Sequence, residues 1–176
     1  MLLPELPHQD FLFTTAEVAA AFVGFSLVVS VVKPNTAGDA VRMGSLRDVA
    51  EIGLSAIAAS FTPYVLHQFG FSQDAVWRLA SAVFAIGGVL AFSLGFRRFS
   101  RAGGAPPWRT APALSVSSGT LAIAVGVLLS WNILAPGALS APRYLVALLG
   151  LLAMGGLIFI FAAFHHSGGG AARAPE

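Results

Sequence analysis

The sequence predicts an all-α, polytopic membrane protein, a bundle of five transmembrane helices with its N-terminus outside and its C-terminus inside. Three observations predict this class: a composition with 56% hydrophobic and 10% charged residues, five long apolar stretches, and an uneven distribution of Lys and Arg between the connecting segments. A soluble domain has about 25% charged residues, and a chain this apolar would expose large aggregating patches in water. We expect a single transmembrane domain over 1–167, with spans at about 11–32, 46–69, 75–99, 112–135 and 143–165, and a disordered Gly/Ala-rich tail at 168–176.

The first span has membrane length and contains one acidic residue, Glu17. A helix over 11–32 would be about 33 Å long, enough for a hydrocarbon core of about 30 Å. Lys33-Pro34-Asn35 ends it. The preceding segment has Glu5 and Asp10 but neither Lys nor Arg, so it lacks the basic region of a signal peptide.

The second span starts with charged residues and has Pro63 near its far end. Proline has no N–H, so the carbonyl of Ala59 loses its helical partner and we expect a kink there. Gly70 is expected to end this helix. A polar loop is expected at 34–44, before the span.

The third span ends in a basic cluster, which we expect to set the topology and to touch anionic lipid headgroups: Arg97, Arg98 and Arg101. The fourth span begins at Pro112 and is broken by Pro136-Gly137, and the fifth follows from Arg143.

The distribution of basic residues favours one orientation. With the N-terminus outside, the outside segments hold only Arg78 and Arg143. The inside segments hold the remaining basic residues: Lys33, Arg42, Arg47, Arg97, Arg98, Arg101, Arg109 and Arg173. Four aromatic residues near the predicted outer ends are compatible with an interfacial belt, and Asn132 is interpreted as interfacial beside them: Tyr64, Trp77, Trp131 and Tyr144.

Small residues recur at helical spacing in several spans, which is typical of close helix packing in membranes. The predicted packing residues are Ala16, Ala20, Gly24, Gly87, Ala91, Gly95, Gly126 and Gly155. The first span carries three of them, Ala16, Ala20 and Gly24. These three residues either contact another helix of the same chain, contact another subunit or face lipid.

Glu17 has two interpretations that do not exclude each other. An ionisable residue inside a span is a functional candidate, because a desolvated carboxyl group can relay a proton or bind a cation. Alternatively, Thr14 and Glu17 form a capping box at the start of the helix, with Phe13 and Val18 as its hydrophobic staple.

The second span carries another polar stripe, formed by Glu51, Ser55 and Thr62. Arg47 and Glu51 are four residues apart and are expected to pair on one helix face. The stripe is interpreted either as the mouth of a polar pathway or as an ordinary solvated helix start.

The sequence lacks several enzyme signatures, among them the Gly-x-Ser-x-Gly elbow, His-Glu-x-x-His and the phosphate-binding Gly-Lys loop. It also has no cysteine, which excludes thiolate metal sites and a catalytic thiol. We expect no enzyme activity, cofactor, metal site or nucleic-acid partner. The expected function is that of a small bacterial inner-membrane protein in contact with lipids, acting as a homo-oligomer with a pore lined by spans 1 and 2. The alternative is a scaffold or accessory subunit of a larger membrane complex.

Overall fold

The computed structural model describes residues 6, 8–32, 39–101 and 112–164, with side chains for 6, 8–31, 46–97 and 112–161. It confirms the all-α prediction, because the described chain contains helices and no strands. The five helices are α1 (Gln9–Val32), α2 (Asp39–Gln68), α3 (Gln73–Arg101), α4 (Pro112–Leu134) and α5 (Ser140–Phe164). All five are long and apolar enough to cross a membrane.

The predicted helix boundaries agree with the structure within about three residues, except at the start of α2. This helix begins at Asp39, so the second half of the loop expected at 34–44 is helical. The prediction was wrong there because it used apolar character to place the start, whereas charged residues such as Arg have nearly the helix propensity of Leu. The predicted tail at 168–176 lies outside the described residues. The predicted orientation in the membrane stays a prediction.

One end of the bundle, here called the short-loop end, holds the connections 69–72 and 135–139 together with the start of α1. Gly70 follows α2 with a φ of +80°, a left-handed conformation that a residue with a side chain rarely adopts. Across the other connection, the Gly137 N–H donates to the Ser140 hydroxyl oxygen at 2.9 Å. The first connection therefore depends on the conformational freedom of Gly70, and the second is stabilised by a hydrogen bond to Ser140.

The core is concentrated near the short-loop end. Its buried members in the last three helices include Val76, Trp77, Ala80, Phe84, Leu129, Tyr144, Leu145 and Leu148. Farther along α3, every residue from 86 to 94 is exposed. Nine successive residues make about two and a half helical turns, so this part of α3 packs no face against the other residues that the structure describes.

Helices α1 and α2 pack closely through Gly53. A Cβ atom at this position would come within 2.5 Å of Val23 Cγ2 and 3.1 Å of the Ala19 carbonyl oxygen. Nearer the short-loop end, Phe13 packs edge-on against Tyr64 with ring centroids 5.4 Å apart. The two helices therefore pack antiparallel, with a glycine at a close contact between them.

Candidate functional site

A short hydrogen bond between helices joins the Tyr144 side chain on α5 to the backbone of α2. The buried Tyr144 hydroxyl donates to the Ala59 carbonyl oxygen at 2.6 Å. Pro63 cannot donate an N–H to this carbonyl, so the tyrosine supplies the bond that the helix lacks. The carbonyl freed by proline was predicted, and the structure identifies its partner.

A buried amide side chain links α4 to α3 and α5 at the same end of the bundle. The Asn132 Nδ2 group on α4 donates to the Ser140 carbonyl oxygen at 2.8 Å. It also donates to Ser81 Oγ on α3 at 3.2 Å. Because Asn132 is 0% exposed, its interpretation as interfacial was wrong.

Aromatic rings surround these contacts. Trp77 and Tyr144 lie with ring centroids 5.6 Å apart, and Phe84 meets Tyr144 edge-on at 5.8 Å. Trp77 is 2% exposed and Tyr144 is 0% exposed, so neither belongs to the interfacial belt in which the sequence placed them. We call the set formed by Ala59, Trp77, Ser81, Asn132, Ser140 and Tyr144 the short-loop cluster. It holds four helices together and fills the space between them.

At the rim of this cluster lies Arg143, in the first turn of α5. Its Cζ atom stands 5.0 Å from the centre of the Trp131 ring, a cation–π arrangement. Its Nη1 group donates to the Ala135 carbonyl oxygen at 3.3 Å, just past the end of α4. Trp131 keeps 54% of its surface exposed, as expected of an interfacial tryptophan.

Glu17 does not sit at the start of a helix. Helix α1 begins at Gln9, and the Thr14 hydroxyl donates to the Asp10 carbonyl oxygen at 2.9 Å, one turn back inside the helix. The capping box predicted with Thr14 is therefore wrong. Glu17 lies eight residues beyond Gln9, about 12 Å along the helix.

The outer face of α1 comprises Glu17, Ala21, Gly24 and Val28, all exposed. These residues are on the opposite side of the helix from Ala19, which is buried against α2. None of the hydrogen bonds or ion pairs among the described residues involves the Glu17 carboxylate. This face is therefore an acidic and small-residue surface on the outside of a single copy.

The polar stripe of α2 also lies towards the outside of the bundle. Arg47 Nε and Glu51 Oε1 form the expected ion pair at 2.9 Å. Ser55 is exposed and donates to the Glu51 carbonyl oxygen at 2.8 Å, while Thr62 is half-buried and donates to the Ala58 carbonyl oxygen at 2.7 Å. Because both hydroxyl protons bond within the helix, the stripe presents acceptor oxygens outward.

The predicted packing residues fall into two groups. Ala16 is buried, and a Cβ atom on Gly155 would lie 3.1 Å from Ile52 Cγ2 on α2. Ala20 and Ala91 are exposed, and nothing lies within 4 Å of a Cβ atom built on the remaining members: Gly24, Gly87, Gly95 and Gly126. Contact of this second group with another copy or with lipid stays a prediction.

Gly150, a small residue of the last span like Gly155, also forms a close contact, because a Cβ atom there would lie 2.8 Å from Val125 Cγ2 on α4. One glycine with a close contact was missed by the sequence analysis, namely Gly53 against α1. Gly53, Ala56 and Ala59 on α2 are small residues three positions apart, and all three are buried. This spacing could have indicated that Gly53 lies on the packed face of α2.

The remaining predicted site residues give less information. Arg97 is exposed near the end of α3, whereas the side chains of Arg98 and Arg101 lie outside the described ones. Within the described residues, no group of three or more His, Cys, Asp and Glu side chains could hold a metal ion.

Taken together, the five long apolar helices and their polar links define a multi-pass helical membrane protein. Comparison with protein family models, with curated proteins and with solved structures gives no match for this chain. The functional argument therefore rests on its own residues.

Proposed function

We propose that this chain is a small non-enzymatic membrane protein of a bacterial inner membrane that acts as a homo-oligomer, with the outer face of α1 as the contact between copies. The observation that carries the proposal is the position of Glu17, an exposed acidic residue about 12 Å inside a helix long enough to span the membrane.

The cost of a carboxylate in hydrocarbon supports this proposal. An acidic residue at the centre of a spanning helix is disfavoured by about 3 kcal/mol on insertion scales. A second copy covering the outer face of α1, or a water-filled path along it, would remove much of this cost. Ala21 and Gly24 next to Glu17 would let another helix approach closely.

The specific version of the proposal is a pore between copies, lined by α1 and α2. Within one copy, the short-loop cluster fills the space between four helices with buried side chains such as Trp77 and Tyr144. Glu17 and the stripe from Glu51 to Thr62 are instead on the outside, where only an assembly can enclose them. Their carboxylates and acceptor oxygens suit water or a cation.

The absence of cysteine makes a direct test of the contact possible. Ala21→Cys places a single thiol on the outer face of α1, and Val83→Cys places one on an exposed face of α3 as a matched control. Under mild oxidation in membranes, we expect Ala21→Cys to form covalent dimers much faster than Val83→Cys. Equal or slower cross-linking at position 21 would contradict the contact.

The pore itself is tested by flux through the purified protein in liposomes. We expect Glu17→Gln combined with Glu51→Gln to change a cation flux that the wild type supports. An unchanged flux would rule out the lining assignment while leaving the oligomer intact.

A second candidate function, an accessory subunit of a larger membrane complex, is favoured by α3. Its residues from 86 to 94 are exposed on every side, which is expected of a helix that packs against a different protein. This candidate predicts a stable partner that co-purifies with the chain and is lost when Gly87 and Ala91 are replaced by Leu. Flux through the pure protein would count against it.

A further inference from the structure

An open apolar groove runs along the outer surface of α4, towards the short-loop end. It has a volume of about 520 Å³ and is lined by α4 residues between Ile123 and Ala135, almost all of the lining being apolar. Gly126 has no side chain and therefore leaves a notch between the larger lining residues, and a Cβ atom built there would face open space.

The groove has a cationic group at its mouth. Trp131 is one of its lining residues, and the Arg143 guanidinium stands over the Trp131 ring at 5.0 Å. The stacking and the bond to the Ala135 carbonyl oxygen hold the guanidinium in place. An Arg side chain carries five N–H donors in a planar fork that fits a phosphate group.

We propose that Arg143 and Trp131 bind the phosphate of an anionic phospholipid whose acyl chain lies in the groove of α4. The charge of the phosphate complements the guanidinium, and the apolar lining fits a hydrocarbon chain. The start of α5 adds to the attraction, since the N-terminal end of a helix carries partial positive charge.

The length of the groove fits one acyl chain. From Ala135 to Ile123 the α4 helix rises about 18 Å, and half of a hydrocarbon core is about 15 Å. Trp131 and Arg143 lie within about one turn of the ends of their helices, at the depth expected for headgroups. A lipid bound at this depth would reach close to the middle of the bilayer.

The test uses purified protein in nanodiscs that contain phosphatidylglycerol and phosphatidylcholine in equal amounts, followed by native mass spectrometry of the retained lipids. We expect the wild type to retain phosphatidylglycerol about fivefold more than phosphatidylcholine, which is the ratio given by about 1 kcal/mol for one basic side chain. Arg143→Gln should remove this preference. Arg78→Gln, which removes the exposed arginine of α3 at the same end of the bundle, should keep it.

Three results would overturn the proposal. The first is a wild type without headgroup preference, and the second is an equal loss in both variants, which would indicate only general surface charge. The third is a rise in thermal stability with inorganic phosphate as large as with phosphatidylglycerol, which would indicate a free anion. If Arg143→Gln fails to fold, Gly126→Leu fills the notch without changing charge and should lower retention several-fold relative to Gly88→Leu, the matched exposed glycine on α3.

Discussion

The hydroxyl of Tyr144 donates a 2.6 Å hydrogen bond to the carbonyl oxygen of Ala59, the carbonyl that Pro63 leaves without its helical partner. Tyr144 on α5 thus supplies, from across the bundle, the hydrogen bond that Pro63 on α2 cannot make. Because Ala59 is buried, water does not satisfy the freed carbonyl, and the bond fixes the relative position of the two helices.

Removing the hydroxyl should therefore destabilise the bundle. We expect Tyr144→Phe to lower the free energy of unfolding by about 1 to 2 kcal/mol, because the Ala59 carbonyl is left buried and unsatisfied. In a Pro63→Ala background the restored N–H can bond to this carbonyl, so the same substitution should cost less than half as much. Thermal unfolding in detergent measures both effects.

The control for this cycle is Tyr64→Phe, on a half-buried ring that packs against Phe13 at the same end of the bundle. It should change stability by under about 0.5 kcal/mol. Equal costs of Tyr144→Phe in the two backgrounds would show that the hydroxyl does not act through the freed carbonyl.

Asn132 should contribute through its two donated bonds to α3 and α5. We expect Asn132→Leu to lower the free energy of unfolding by about 2 kcal/mol, since both bonds are lost and a larger apolar side chain must fit a buried site. Ser130→Ala, at an exposed position on the same helix, is the control and should be nearly neutral. Stability of Asn132→Leu equal to that of the wild type would mean that the network only fills space.

Gly53 should be intolerant of even one methyl group. Its Cβ atom would come within 2.5 Å of Val23 Cγ2, so Gly53→Ala should destabilise by about 1 to 3 kcal/mol through overpacking. Gly88→Ala adds the same methyl group where nothing lies within 4 Å and should be neutral or stabilising, given the better helix propensity of alanine. Similar melting temperatures for the two variants would refute close packing of α1 on α2.

The predicted orientation can be tested with single cysteines, because the natural chain has none. In intact cells, a membrane-impermeant maleimide should label Gly137→Cys at the short-loop end. It should label Gly103→Cys, in the connection before α4, only after the membrane is permeabilised. The reverse pattern would show that the N-terminus lies inside.

The number and approximate extent of the helices could be predicted from sequence because membrane length and apolar character are local properties. The carbonyl freed by Pro63 and the helix end at Gly70 could also be predicted, since a missing N–H group and a left-handed turn are properties of single residues. These features need no knowledge of which helices are neighbours.

The short-loop cluster could not be predicted in the same way. Trp77 and Tyr144 resemble interfacial aromatic residues at that depth of a span, and only the neighbouring helices decide that they are buried. Asn132 was misread for the same reason. Its two bonds go to a hydroxyl on α3 and to a backbone carbonyl on α5, and no local pattern in the sequence indicates that these groups meet.

The interpretation of Glu17 depended on where α1 begins. Placing the start near Thr14 produced a capping box, whereas the actual start at Gln9 puts Glu17 inside the helix. The packing of Ala19 against α2 then leaves Glu17 on the outer face. A shift of five residues, about one and a half helical turns, therefore changes the interpretation of Glu17 from a helix cap to the residue on which the proposed contact between copies depends.

Native mass spectrometry of the wild type and of Glu17→Ala in lipid nanodiscs tests the central claim most directly, with Asp10→Ala as the control for an acidic residue in the first turn of the same helix. We predict an assembly of several copies for the wild type and for Asp10→Ala, and a shift towards single copies for Glu17→Ala. A wild type that is monomeric at every protein concentration would contradict the proposed assembly and its pore.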